Sequence, residues 1–268
     1  MRILYPNSPL KPREPDEVYA EEYAAAVDSG FSVSLFSFED LIAGSFRVRP
    51  TILDTDTILY RGWMFTPTQY GQLCTEVSRF GARMLTSPVQ YELCHYLPRW
   101  YPKLTEFTPE TRFFHEDDDV ASRLRELSWT GCFLKDYVKS LAISGGSLIT
   151  DLERIPGALE KMKMYRGEIE GGICARRIED FDFETEERYF VFFGKAHARD
   201  GSVPEVVEVA AKRIHSSFFT VDTVRRRDGV MRIVELGDGQ VSDRKEWSVA
   251  QILGVLKGHS EYADANCP

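Results

Sequence analysis

The chain has 268 residues, a formal net charge of −9 and 43% hydrophobic residues. That is ample material for a buried core, and it argues against a broad non-specific nucleic-acid surface, which needs clustered Lys and Arg. Cys74, Cys94, Cys132, Cys174 and Cys267 are scattered without a CxxC pair, so neither a disulfide framework nor a zinc site is indicated. The start MRILYPNSPL lacks a basic stretch leading into a long apolar run, and no later stretch is apolar enough to span a bilayer. The expectation is a cytoplasmic chain without a membrane partner.

In chain order, the apolar run 3–5 ends at Pro6-Asn7 and reads as a strand; a helical pattern over 16–29 closes at Gly30. Strands are predicted over 31–36, 57–60 and 83–85, with a helix over 67–80 before the last. Alternation of this kind implies a small, mostly parallel sheet with helices on its faces. The acidic run 115–119 reads as a solvated helix start, because consecutive side chains cannot all face one ion. The Pro-punctuated stretch LPRWYPKLTEFTPET, from Leu97, carries neither period and reads as a connection, which places a boundary near Thr105. Beyond it come a strand over 132–138, a Gly/Ser loop, a helix near 152–164, strands over 173–178 and 188–193, a helix over 204–215, and a hairpin from 218–224 and 231–236. This order suggests an α+β lobe, followed by an amphipathic helix over 247–256 that could pack on the core or mediate a dimer contact.

The hairpin FFTVDTVRRRDGVMRIVELGDGQVS is the most informative segment. Each apolar, β-branched strand carries one acid, Asp222 in the first and Glu235 in the second. With the turn at 227–230 the two lie near one another, and neighbouring carboxylates repel unless a cation sits between them. Two readings stand: Mg²⁺ is held here together with substrate phosphates, or both acids face solvent or pair with Arg225 and Arg232. The run Arg225 to Arg227 itself reads as a solvated strand end. In the following GDGQVS, Gly237 and Gly239 allow a close backbone approach, with oxygens from Asp238 and Gln240; an ordinary turn is the other reading.

In CFLKDYVKS, Lys135 sits inside an apolar run, followed by Lys139 and the flexible ISGGS. A lysine so placed requires an anion, for which nucleotide phosphate is a natural candidate, unless it points to solvent from an edge strand. The runs ICARRIEDF and EERYFVFFGK carry Arg176, Arg177, Glu179, Glu186, Glu187 and Arg188. Arg188 opens a long aromatic strand and either contacts an anion or pairs with Glu186 or Glu187. His95, His115, His197, His215 and His259 show no ligand spacing.

Taken in order, FLKDYVKS, SGGS, ICARRIEDF, EERYFVFFGK, VDTV and VELGDGQVS resemble the ATP-grasp superfamily, and more closely a clade of small ATP-grasp proteins of bacterial and phage genomes. The resemblance covers about 105–242. It implies α/β and α+β architecture: an N-terminal Rossmann-like (pre-ATP-grasp) lobe over 1–104, then ATP-grasp α+β subdomains over 105–268. ATP and Mg²⁺ are the implied cofactors. Lys135 and Lys139 would meet the phosphates, with Lys103 the nearest candidate for a further ATP-contacting lysine. Arg176 and the backbone of Arg177 to Glu179 would border adenine, and Glu186 or Glu187 would face the ribose. Asp222 and Glu235 would hold Mg²⁺, and Arg188 would stabilise the transferred phosphoryl group. The commoner pattern has Asn two residues after the Glu; here Gly237 stands there, and Asp238 is the residue that would take over as ligand. YRG at 60–62 and TSP at 86–88 sit where first-lobe strand ends meet substrate. The implied reaction is ligation of a small-molecule or peptide carboxylate to an amine or other nucleophile. A phosphotransferase and a non-catalytic ATP-binding module are the alternatives.

Overall fold

The computed structural model describes residues 1–138, 147–166 and 169–258, with Tyr165 and Arg166 as backbone only. The chain divides into two compact units, 1–94 with 188–221 and 237–268, and 95–187 with 222–236. Architecture is mixed α/β with parallel and antiparallel sheets, as the sequence predicts.

The first unit opens with β1 (Arg2–Pro6), α1 (Ala20–Asp28), β2 (Ser32–Phe36), α2 (Phe38–Ile42) and β3 (Val48–Arg49). β4 (Thr57–Tyr60), α3 (Pro67–Ser78), β5 (Arg83–Met84) and α4 (Pro88–His95) follow. The sheet order is β3-β2-β1-β4-β5. The pairs β1/β2, β1/β4 and β4/β5 are parallel, and β3 is an antiparallel edge. β1 and β4 are buried along their whole length, as expected of central strands covered on both faces. α3 begins with a reciprocal cap between Thr66 and Gln69 and has Pro67 in its first turn, where a missing N–H does no harm. The sequence reading omits α2, β3 and α4. α2 and β3 are too short for a period to be counted, and α4 begins at the proline of the TSP motif.

The second unit begins with α5 (Leu97–Trp100), β6 (Thr111–Phe114), α6 (Val120–Glu126), β7 (Cys132–Asp136), β8 (Leu148–Ile149) and α7 (Ile155–Arg166). β9 (Ile173–Arg176) completes a sheet ordered β6-β9-β7-β8. Asp119 caps α6 through the Ser122 N–H, so the acidic run does lead into a helix. The stretch read as a bare connection contains α5 and two 3₁₀ turns, and its Trp100 is buried. Pro98 lies in a first helical turn, where proline starts a helix rather than breaking one.

The remaining elements are β10 (Phe181–Phe192), β11 (Lys195–His197), α8 (Glu205–Arg213), β12 (Phe218–Arg226), β13 (Met231–Asp238) and α9 (Val249–Lys257), with sheet order β11-β10-β12-β13. β10 begins at Phe181, well before the strand start predicted at Arg188. Its first half, FDFETEE, is too acidic to read as a strand; the Arg227 N–H donating to the Asp180 carbonyl at 2.9 Å and the Arg225 N–H donating to Thr185 Oγ1 at 2.9 Å supply the partner. The hairpin loop is three residues, Arg227-Asp228-Gly229, closed by Arg226 N–H to Val230 carbonyl at 2.8 Å, with Gly229 at φ +92°. That is a turn followed by a left-handed glycine, one residue shorter than predicted. α9 is capped reciprocally by Ser248 and Gln251 and buries Val249, Ile252, Leu253 and Leu256 at helical spacing. This apolar face joins the first unit's core with Tyr5, Phe190, Phe192 and Phe218, which settles its packing on the core. No helix among the described residues is long and apolar enough to cross a membrane.

Candidate functional site

The second unit contains a pocket of about 210 Å³. Its apolar wall includes Phe133 of β7, Leu148 of β8, Ile178, Phe181 and Phe183 of β10, Val224 of β12 and Val234 of β13. Leu148, Ile178 and Phe183 are 47%, 42% and 68% exposed. Large apolar side chains left in water along one concave wall are suited to a flat, partly apolar ligand. The same pocket is lined by Lys135, Arg176, Arg177, Glu179, Glu186, Asp222 and Glu235, which are thereby brought together from β7, β9, β10, β12, β13 and the segment after β9.

Lys135 is buried, and β7 lies between β9 and β8, so the edge-strand reading is overturned. Its Nζ donates to Glu235 Oε1 at 3.1 Å, while the Glu235 side chain is 43% exposed. Asp222 is 2% exposed. Lys135, Arg176, Asp222 and Glu235 thus line one pocket, together with Arg177, Glu179 and Glu186. Arg176 is buried and donates from Nη1 to the Val234 carbonyl at 2.5 Å and from Nη2 to Thr108 Oγ1. Its Nε has no hydrogen-bond partner among the described residues. Burial pulls this guanidinium down to about 10, against the opposing pull of Glu235, and it stays charged at neutral pH.

Glu179 is committed elsewhere: Arg232 grips it through Nε at 2.9 Å and Nη2 at 2.8 Å, and also donates to the Glu106 and Thr108 carbonyls, each at 2.7 Å. A bidentate pair of this kind fixes the segment after β9 rather than offering a free carboxylate. Arg232 is thus not a partner of Asp222 or Glu235 through this fork. Arg177 donates its backbone N–H to the Glu110 carbonyl at 2.7 Å and Nη1 to Glu110 Oε2 at 3.1 Å, and its guanidinium lies 6.0 Å from the Trp129 ring centroid. Glu186 is exposed.

Glu187, Arg188 and Asp238 do not line this pocket. Lys139 and Gly145-Gly146 lie outside the described residues. Arg188 Nη1 donates to Asp243 Oδ1 at 2.6 Å and to its carbonyl at 3.0 Å. Asp238 belongs to the first unit and is fully buried; its Oδ1 accepts from the Gln240 N–H and from Gln240 Nε2, each at 3.0 Å. Oδ2 has no partner among the described residues. Burial, opposed by the two Gln240 bonds, pushes the Asp238 carboxyl up to about 7.

In the YRG segment the arginine is engaged by its own unit. Arg61, 2% exposed, forks onto Glu22 at 2.8 and 2.9 Å and donates from Nη1 to the carbonyls of Gly239 at 2.6 Å and Ser242 at 3.1 Å. Burial would raise the Glu22 carboxyl, but Arg61 outweighs it and holds that group below its ordinary value. A Cβ at Gly239 would meet the Phe218 ring at 2.6 Å, and one at Gly237 would meet Ser242 Oγ at 2.7 Å. Packing against the chain's own atoms therefore accounts for both glycines. Sequence reasoning missed Arg61 and Glu22 as a pair, and it missed Phe181 and Phe183 as pocket walls; the F-D-F-E alternation at 181–184 was the available signal.

Among the described residues no group of three or more His, Cys, Asp or Glu gathers as a metal cluster. Asp222 and Glu235, two carboxylates on one pocket, nevertheless fit Mg²⁺, which binds through one or two carboxylates and takes further oxygens from substrate phosphates and water.

No curated protein sequence matches the chain. Solved structures do match in fold. D-cycloserine synthetase DcsG is 14% identical, with 96% of this chain and 99% of that one covered at a TM-score of 0.60. The ATP-grasp ligase PsnB, complexed with a minimal precursor, Mg and ADP, is 12% identical, with 96% of each chain covered at 0.59. The D-alanine-D-alanine ligase from Coxiella burnetii is 12% identical, with 95% and 90% covered at 0.61. The family described as "ATP-grasp domain, R2K clade family 3" matches residues 107–256. With more than half of its length matched to that domain, the chain belongs to the R2K clade of the ATP-grasp family.

Proposed function

We propose that this chain is an ATP-dependent ligase that activates a substrate carboxylate, of a small molecule or a peptide, for attack by an amine or another nucleophile. The observation that carries the reading is the second-unit pocket, in which exposed apolar side chains meet buried Lys135 and Asp222 and the half-exposed Glu235. The apolar wall suits adenine, with Glu186 at the ribose. At about 210 Å³ the pocket falls below the ~300–1,000 Å³ of sites that enclose a whole ligand, which is consistent with a base and sugar inside and phosphates outside. The division into a first lobe over 1–104 and an ATP-grasp part over 105–268 belongs to the same reading.

Asp222 and Glu235 would hold Mg²⁺; Asp238, buried and bonded to Gln240, is left out of that assignment. The metal when bound neutralises phosphate charge. Lys135 adds a fixed positive charge to the phosphates, at which point its bond to Glu235 is exchanged or shared. A substrate carboxylate oxygen attacks the γ-phosphorus, the bond to the β-γ bridging oxygen breaks, and ADP leaves with that electron pair. The nucleophile then attacks the acyl carbon, phosphate departs, and an amine loses one proton. Little covalent chemistry is asked of the protein; positioning and charge neutralisation supply the rate. Arg188 is proposed to stabilise the transferred group.

Calorimetric titration with a non-hydrolysable ATP analogue, with and without Mg²⁺, tests the site. Binding is expected to need Mg²⁺ and to weaken at least tenfold in Lys135→Ala, about 1.4 kcal/mol. Asp222→Ala with Glu235→Ala is expected to abolish the Mg²⁺ requirement. Unchanged binding in folded variants rejects the assignment. Product analysis after ADP release separates ligation from simple phosphorylation.

A further inference from the structure

The first unit has an open cavity of about 740 Å³ at the C-terminal ends of β1 and β2, lined by Asn7, Arg13, Arg47, Arg49, Glu39 and Asp40 among others. Its volume lies within the ~300–1,000 Å³ of small-molecule sites. Its walls are held in place. Asn7 is buried, takes the Phe36 carbonyl through its N–H at 2.8 Å, and ties the loop over 8–15 through Nδ2 to the Pro12 carbonyl at 3.3 Å. That loop closes on itself, with the Ser8 N–H donating to the Glu14 carbonyl and the Glu14 N–H to the Lys11 carbonyl, each at 2.9 Å. Arg49 sits on β3 opposite Leu35, and Arg47 directly precedes that strand.

Arg13, Glu39, Asp40, Arg47 and Arg49 are exposed to the cavity mouth and to solvent. Lys11 and Glu14 pair with each other at 3.0 Å. Among the described residues, no hydrogen bond or ion pair engages the side chains of Arg13, Arg47, Arg49, Glu39 or Asp40. The buried Arg61 and the part-buried Arg232 are by contrast committed, to Glu22 and to Glu179. Guanidinium groups are built for carboxylate or phosphate oxygens. A polyphosphate, however, would bring several negative charges against Glu39 and Asp40 in the same cavity. A ligand with one carboxylate and one ammonium meets both sets with complementary charge.

We infer that this cavity binds the zwitterion of an amino acid or short peptide, its carboxylate at Arg13, Arg47 and Arg49 and its ammonium at Glu39 and Asp40. The inference does not rest on the nucleotide pocket and can fail without it. The test is a titration of the ¹⁵N-labelled full chain with triglycine, watching the amides of Ser37, Arg47 and Arg49, beside triglycine amide, N-acetyl-triglycine and inorganic phosphate. Triglycine is expected to move these amides, with affinity at least tenfold lower in Arg47→Ala/Arg49→Ala and in Glu39→Gln/Asp40→Asn, and for each blocked peptide. These residues are on the surface, so the variants keep the fold. The absence of shifts at these amides overturns the proposal, as does phosphate or N-acetyl-triglycine binding as tightly as triglycine, which would make this an anion site only. Adding the ATP analogue to each sample shows separately whether the nucleotide reading survives.

Discussion

Arg61 and Asp238 are two buried ionisable groups at the same loop, one with its countercharge and one without. Arg61 has Glu22 and the loop carbonyls as partners, so removing it leaves a buried carboxylate without its cation. Arg61→Ala is expected to destabilise the chain by about 3–5 kcal/mol, read by urea unfolding, and Glu22→Gln with Arg61→Met by less. Asp238 is the opposite case, a carboxyl raised from 3.8 to about 7 in the folded state. Between those values the folded chain binds more protons than the unfolded one, so this group's contribution falls as pH rises through that window. Asp238→Asn retains the Oδ1 acceptor for Gln240 and removes the charge. The variant is expected to lose that decline and to exceed the parent in stability at pH 8; equal slopes for the two proteins in unfolding measurements from pH 4 to 8 would contradict it.

At the scale of elements, glycines in one hairpin and its following loop do different work. Gly229 adopts φ +92° in the turn and has no atom within 4 Å of an added Cβ, so Gly229→Ala should cost about 1 kcal/mol, from backbone strain alone. Gly239 needs no left-handed backbone, yet an added Cβ there meets Phe218, a core ring, at 2.6 Å. Gly239→Ala is therefore expected to cost more than Gly229→Ala, towards the upper part of the ~1–3 kcal/mol of overpacking, measured as the shift in urea midpoint. Periodicity made β1, β4, α3 and the hairpin legible, because each buries a regular face or run. The acidic first half of β10 and the Pro-started α5 were hidden, since their stability comes from partners distant in sequence: Arg225 and Arg227 for the strand, the buried contacts of Leu97 and Trp100 for the helix.

For the whole molecule, ligand binding and stability are one measurement. A nucleotide that binds only the folded chain stabilises it by about 2.7 kcal/mol at a hundred times its dissociation constant. The ATP analogue with Mg²⁺ is accordingly expected to raise Tm by several degrees, and to do so far less in Lys135→Ala; an unchanged Tm at saturating analogue would count against the site. The order of motifs from Lys135 to Asp238, the mixed α/β class and the family were all readable from the sequence, because burying charges inside apolar runs leaves a conspicuous pattern. What each charge does was decided by tertiary structure. Lys135 became an interior lysine with Glu235 as its partner, Glu179 went to Arg232, and the YRG arginine became a clamp on its own chain. Those outcomes depend on which groups meet across the fold at 2.6–3.1 Å, a distance set by strand order and packing that spacing along the chain does not encode.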